Sequence, residues 1–173
     1  AGLKAVRSDK VVFLDADDRL LPHAIAAGLA CFAGAAGCGL VYGGYRLIDQ
    51  HGQALSRDFY TAVGAEPYRD MLRGNQIGMH ATVMYDRARL IASGGFDPAV
   101  ERCEDYDVYL RMARDGPIAS HAQPVAVVDG HDRRPAAASE ALDGSQRVGL
   151  ARLHCSEPEL GLERLDDLLC AVQ

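Results

Sequence analysis

The stretch Val11–Asp18, VVFLDADD, decides how the rest of the chain is read. Val11, Val12, Phe13 and Leu14 are consecutive large apolar residues with no polar face. They predict a strand buried on both sides, as in the parallel sheet of an α/β domain. The apolar run then stops in acid. Asp15, Asp17 and Asp18 fall where such a strand emerges at its carboxyl end, the edge of an open α/β sheet at which ligands bind. Three carboxylates crowded there repel one another unless a cation or a retained proton compensates them, and a hard divalent metal suits that set of oxygens.

Outward from this strand, the preceding AGLKAVRSDK reads as the tail of a helix, with no signal peptide. On the other side Pro22 suits a first helical turn, and Ile25, Leu29 and Phe32 recur at helical spacing as one apolar face. Gly39–Arg46, GLVYGGYR, predicts a short strand, and LIDQHGQAL, with Asp49 and a His-Gly pair, a turn or hairpin at the sheet margin. Phe59–Arg73 reads as an irregular loop followed by a helix whose apolar side is Tyr68, Met71 and Leu72. Ala81–Tyr85 predicts another strand, and Arg87–Ala92 a short helix stopped by Gly94 and Gly95. Asp105–Arg114 predicts a helix with Val108, Tyr109 and Met112 inward and an Asp107–Arg111 pair outward. Val125–Val128 predicts a last strand. Beyond Pro135 a helical tail is expected: Ser156 and Glu159 make a capping box, and Leu162, Leu165, Leu169 and Val172 continue an apolar stripe.

The length of 173 residues suits one domain with a sizeable core. A formal net charge of -6 argues against a nucleic-acid partner. Five cysteines, an odd number with no C-x-x-C spacing, indicate neither a disulfide framework nor a zinc site, and a reducing, cytoplasmic setting is expected. The uncharged run Ala24–Tyr45 matches a membrane span in length. It is mostly alanine and glycine and is broken at Gly34–Gly39, so it reads as helix, turn and strand.

A second acidic site follows a glycine pair. In GGFDPAVERCEDYDVYLR, Gly94 and Gly95 precede a loop, and Glu104 and Asp105 then open a helix, where carboxylates suit the helix dipole or act as caps. The two acidic sites, in this order, resemble the family 2 glycosyltransferases of the GT-A fold. The likeness is carried by FLDADDRLLP (Phe13–Pro22), GLVYGGYRLID with Gly52, GGFD (Gly94–Asp97), CEDYDVYLR (Cys103–Arg111) and the late His131, and it covers most of the chain from Ala1 to about His131.

The resemblance implies an α/β, GT-A-like (Rossmann-like) fold, a mixed but mostly parallel sheet flanked by helices. Residues 1–134 would form the partial core and 135–173 a helical extension packed on it. It implies that Asp15, Asp17 and Asp18 match the D-x-D element, which holds donor ribose and a divalent metal, Mn²⁺ or Mg²⁺, on the diphosphate of a nucleotide sugar. Asp17 and Asp18, with His131 as a late imidazole ligand, form the implied metal set. Asp105 matches the general base, Glu104 would orient acceptor or base, and Gly94 and Gly95 would let the donor sugar approach the backbone. The implied reaction is inverting transfer from a nucleotide-sugar donor, such as a UDP-sugar, to a glycan or lipid-linked acceptor, in the cytoplasm or peripherally at the inner membrane face.

This sequence departs from the family at its amino end, where members place nucleobase-binding strands before the first motif. The chain therefore reads as N-terminally truncated. The side of Val11–Leu14 that those strands cover is expected to be exposed unless a homo-oligomer or other partner covers it. Two rivals fit parts of the pattern. One is an inactive binding or interaction fragment of such an enzyme. The other is a haloacid dehalogenase-like phosphatase with Asp15 as nucleophile and Asp17 as acid and base, although Asp18-Arg19 stands where that family has Gly-Thr, and Lys4 and Lys10 lie only upstream. His80 and His121 belong to no motif and are expected to be ordinary structural histidines.

Overall fold

The computed structural model describes residues 2–16, 18–49, 51–55, 57–100 and 103–129. Its elements are, in order, α1 (Gly2–Ala5), β1 (Lys10–Val12), β2 (Arg19–Leu20), α2 (Ala24–Gly34), β3 (Leu40–Ile48), α3 (Pro67–Arg73), a 3₁₀ turn at His80–Thr82, β4 (Val83–Asp86), α4 (Arg87–Ala92), α5 (Glu104–Asp115) and β5 (Ile118–Asp129). His131, the expected tail and the expected division at residue 134 lie outside the described residues.

The strands form one sheet in the order β1-β4-β3-β5-β2. Only β3 and β5 pair parallel; β1 with β4, β3 with β4 and β2 with β5 pair antiparallel. The sheet is thus mixed and only partly parallel, which corrects the expectation of a mostly parallel one. An apolar run records that both faces are covered, not the direction of the neighbouring strand, and here helices on both faces supply the cover.

Alternation along β1 shows this directly. Val11 turns to a core with Val6, Leu40, Tyr85 and Val108, whereas Val12 turns to one with Cys38, Val41 and Met84, closed by Ile25 and Phe32 of α2. Val11 is 0% exposed, Val12 4% and Phe13 7%, and Leu14 is half-buried, so of the segment expected to be exposed only Leu14 is partly open. What β1 leaves open is the backbone edge. Ser8 blunts part of it, its hydroxyl donating to the Lys10 carbonyl at 2.7 Å and accepting from the Lys10 N–H at 3.3 Å.

Helix α2 sits differently from the sequence expectation. Its first residue is Ala24, so Pro22 lies before the helix, and Ala24 and Gly28 are the residues it buries, while Leu29 is exposed. The reason is close approach: a Cβ on Gly28 would stand 2.7 Å from the Met84 methyl of β4. Lys10 reaches over this contact, its ammonium 3.0 Å from Asp86 and 4.6 Å from the centre of the Phe32 ring. No helix among the described residues is long and apolar enough to cross a membrane. On α3 only Met71 of the expected apolar side is buried; Tyr68 and Leu72 are exposed.

At Asp49 the expected turn forms. The Asp49 carboxylate accepts from the N–H groups of His51 and Gln53, both at 2.8 Å, and Gly52 adopts a positive φ of 78°. Strand β5 is longer than the sequence suggests and carries Pro124 inside it. Pro124 pairs with Gly44 where the β3–β5 register shifts, an irregularity that tolerates a residue without an N–H.

Candidate active site

Three segments converge at one end of β1. The chain leaves that strand through Phe13 and Leu14 to Asp15, an exposed side chain, and then turns so that the Asp18 N–H donates to the Asp15 carbonyl at 3.0 Å. Asp18 itself is only 8% exposed. Asp17 lies outside the described residues.

The second segment is the first turn of α5, which carries Glu104, Asp105 and Asp107. Negative charge there is favoured by the helix dipole. The N-cap is Cys103, whose own side chain makes no cap hydrogen bond, so the first-turn donors of α5 are left to other groups. Asp105 is held at both oxygens: Oδ1 accepts the Tyr106 N–H at 2.7 Å, and Oδ2 lies 3.5 Å from the Tyr109 hydroxyl, a long contact. Glu104 Oε2 is buried with no hydrogen-bond partner among the described residues. A buried carboxylate oxygen left in that state is costly unless something else satisfies it.

The third segment is the 3₁₀ turn with His80, which the sequence did not mark. Its imidazole lies between Phe13 at 5.8 Å, Phe96 at 5.7 Å, Tyr85 at 6.0 Å and Tyr109 at 6.2 Å between ring centres. Its Nδ1 is 3.1 Å from the Tyr109 hydroxyl. Burial pushes its pKa down, while Asp105, Asp15 and Glu104, in that order, pull it back up. Asp15 and the adjacent pair Glu104 and Asp105, far apart in the chain, therefore act on one imidazole. Tyr85 and Tyr109 are fully enclosed, and burial pushes both phenols well above their usual pKa.

The aromatic cluster explains how the sequence assembles the site. Phe13 is two residues before Asp15, Phe96 one after Gly95, and Tyr109 one helical turn after Asp105. Phe13 meets Phe96 edge-on at 4.9 Å and Tyr85 at 5.7 Å. Packing these rings sets the acidic ends of two separate motifs against one another.

Gly94 and Gly95 have a local explanation. The Gly94 N–H donates to the Ile91 carbonyl and the Gly95 N–H to the Leu90 carbonyl, closing α4 in a Schellman motif with φ of 96° and 65°. Gly94 is exposed and Gly95 buried. Arg111 does not point outward with Asp107 as the sequence suggested. Its guanidinium bonds Asp107 at 2.6 Å and also donates to the carbonyls of Ser93 at 2.5 Å and Gly95 at 2.6 Å, tying this loop to α5. His121 lies apart from the site, its pKa pushed down by burial and by His23.

Asp15 and Asp18 supply hard oxygen donors suited to Mg²⁺ or Mn²⁺. Among the described residues no three His, Cys, Asp or Glu side chains are gathered to hold a metal, and Asp17 and His131 lie outside them. Nor do the described cysteines pair: Cys31, Cys38 and Cys103 are free thiols.

No family model and no curated protein matches the chain. Solved structures do. Residues 1–349 of S. aureus TarS in complex with UDP match at a TM-score of 0.54 and 16% identity, over 73% of this chain and 37% of that one. A second structure of residues 1–349 of S. aureus TarS matches at 0.53 and 16% identity, over 74% and 38%. A further S. aureus TarS structure matches at 0.53 and 15% identity, over 73% and 23%. The chain therefore spans well under half the length of each of these proteins. At such identity the likeness concerns the fold alone, which this chain shares with part of S. aureus TarS.

Proposed function

We propose that this chain is the acceptor-facing and metal-bearing part of an inverting family 2 glycosyltransferase, moving a sugar from a UDP-sugar to a hydroxyl of a glycan or lipid-linked acceptor. The observation that carries the reading is the gathering of Asp15, Glu104 and Asp105 around His80. The fold shared with part of S. aureus TarS supports it, and the UDP bound to that protein supports the choice of donor.

In this reading Asp105 is the general base. The acceptor oxygen attacks the anomeric carbon, a new C–O bond forms as the bond to the diphosphate breaks, and the acceptor proton passes to Asp105, with inversion at carbon. Oδ1 is engaged by a backbone N–H, which fixes the carboxylate plane, and Oδ2 is the oxygen that faces Tyr109. Glu104, with one buried oxygen unpaired among the described residues, orients the acceptor or the base. Asp15 binds donor ribose, and Gly94 is the exposed glycine on the donor side. Asp17 and Asp18, joined by His131, would hold the divalent ion, which neutralises charge on the leaving diphosphate.

The test is calorimetric binding of UDP with and without Mn²⁺, paired with release of UDP from UDP-sugars. Asp105→Asn is expected to abolish transfer, by about 10³-fold or more, while leaving Mn²⁺-dependent UDP binding intact. Loss of that binding in the variant would remove Asp105 from the role of base. Binding by the wild-type chain without transfer would favour the inactive-fragment reading, and absence of both would end the donor-site reading altogether.

A further inference from the structure

The hydroxyl of Tyr109 stands between two groups that compete for its one proton. His80 Nδ1 is 3.1 Å away and Asp105 Oδ2 3.5 Å away. An ionised carboxylate only accepts, and a phenol donates once and accepts through its lone pairs. The bonds can all be satisfied in one way: Tyr109 donates to Asp105, and His80 carries its proton on Nδ1 and donates to Tyr109. If His80 instead carried its proton on Nε2, Tyr109 would be drawn to the imidazole and Asp105 Oδ2 would lose its donor.

We propose that His80 is a positioning residue for Asp105, acting through the Tyr109 hydroxyl: the Nδ1–H of His80 directs that hydroxyl's proton onto the Asp105 carboxylate and so fixes the oxygen that takes the acceptor proton. The inference rests on the sugar-transfer reading of Asp105, and it adds a residue that no motif of the sequence marks. Three observations support it. His80 stacks on Tyr109 with an interplanar angle of 22°, which limits how the imidazole can turn. The Tyr109 ring is 0% exposed, so water does not compete for its hydroxyl. The Tyr85 hydroxyl is enclosed beside that of Tyr109 and has no well-formed hydrogen bond among the described residues, so it can donate to the second Tyr109 lone pair.

Among the described residues the charged side chains around the imidazole are Asp105 and Glu104 from α5 and Asp15 from the end of β1, and burial pushes the His80 pKa down against their pull. A neutral imidazole has one N–H, and the tautomer is a choice that the neighbouring bond makes.

Nitrogen-15 NMR of the imidazoles in the whole chain reads this tautomer directly. Wild type is expected to show His80 protonated on Nδ1, and Tyr109→Phe to shift it towards the Nε2–H form that an unconstrained histidine side chain prefers. An Nε2–H tautomer in wild type overturns the proposal. A kinetic arm uses two replacements of similar size. His80→Asn keeps an N–H donor near the Nδ1 position and is expected to hold kcat within about threefold. His80→Leu removes the donor and is expected to lower kcat about tenfold with the donor KM unchanged, the effect of one lost hydrogen bond. Equal losses in the two variants, or a change confined to KM, also overturn it. Should wild type transfer no sugar at all, the function falls while the tautomer still decides the direction of the His80–Tyr109–Asp105 bonds.

Discussion

Arg111 joins two motifs that the sequence presents separately. Its guanidinium spans the Asp107 carboxylate and the carbonyls of Ser93 and Gly95, and its fork can meet all three, which a point charge on a flexible stem cannot. The ion pair is partly exposed, at 20% and 31% of side-chain surface, so most of the stabilisation comes from the carbonyl bonds rather than from charge. Arg111→Met is expected to lower stability by about 2 kcal/mol and Arg111→Lys to restore less than half of the loss, read from urea midpoints at constant m. Equal stability of the Met variant and wild type would show that the loop is held without this clamp. The spacing of Asp107 and Arg111 was legible in the sequence as a helical pair, but the two carbonyls it also serves come from another element. His80 was illegible for a similar reason: its partners Phe13, Phe96, Asp105 and Tyr109 arrive from three other segments, and no local period marks them.

At the scale of the element, β3 is the strand on which the sheet is built, and Gly43 and Gly44 let two backbones approach it. A Cβ on Gly44 would meet the Phe59 carbonyl oxygen at 2.7 Å, while Tyr45 and Phe59 exchange N–H···O bonds of 2.9 and 2.8 Å and stack their rings at 5.1 Å. A carbonyl fixed in a ladder cannot yield as a side-chain tip can. Gly44→Ala is expected to cost about 2 kcal/mol or more. Gly34→Ala, at the end of α2 with nothing within 4 Å, is expected to be neutral or to stabilise by up to about 1 kcal/mol. Thermal melts of the two variants side by side separate close approach from glycine flexibility in general. The strand's apolar character was readable from LVYGG, whereas the need for its glycines depends on loop residue Phe59 and on Pro124 of β5.

For the whole molecule, stability should depend on acid in a defined way. His80 and His121 both have folded-state pKa values pushed below the usual 6.5 by burial, so below that pH the unfolded chain binds protons that the folded one refuses. Stability is therefore complete above about pH 6.5 and falls as the pH drops through the interval down to the folded-state values. Asp86, lowered by the Arg89 N–H and Lys10 despite its burial, and Asp58, lowered by Arg46, add losses at lower pH, below the ordinary carboxylate range. Urea midpoints at pH 7.5 and 5.5 should differ in wild type, and the difference should shrink in His80→Leu; an unchanged slope would show that His80 titrates alike in both states. The sequence by itself determined that a buried strand ends in acid, that a helix begins with acid, and that an α/β domain contains both, because apolar runs, caps and helical spacing are local properties of the chain. Tertiary structure alone decided that the sheet is only partly parallel, that α2 approaches β4 closely at Gly28, and that Asp15, Glu104 and Asp105 act on His80. Strand direction and side-chain meeting are fixed by which distant surfaces exclude water together, and no window of neighbouring residues records that.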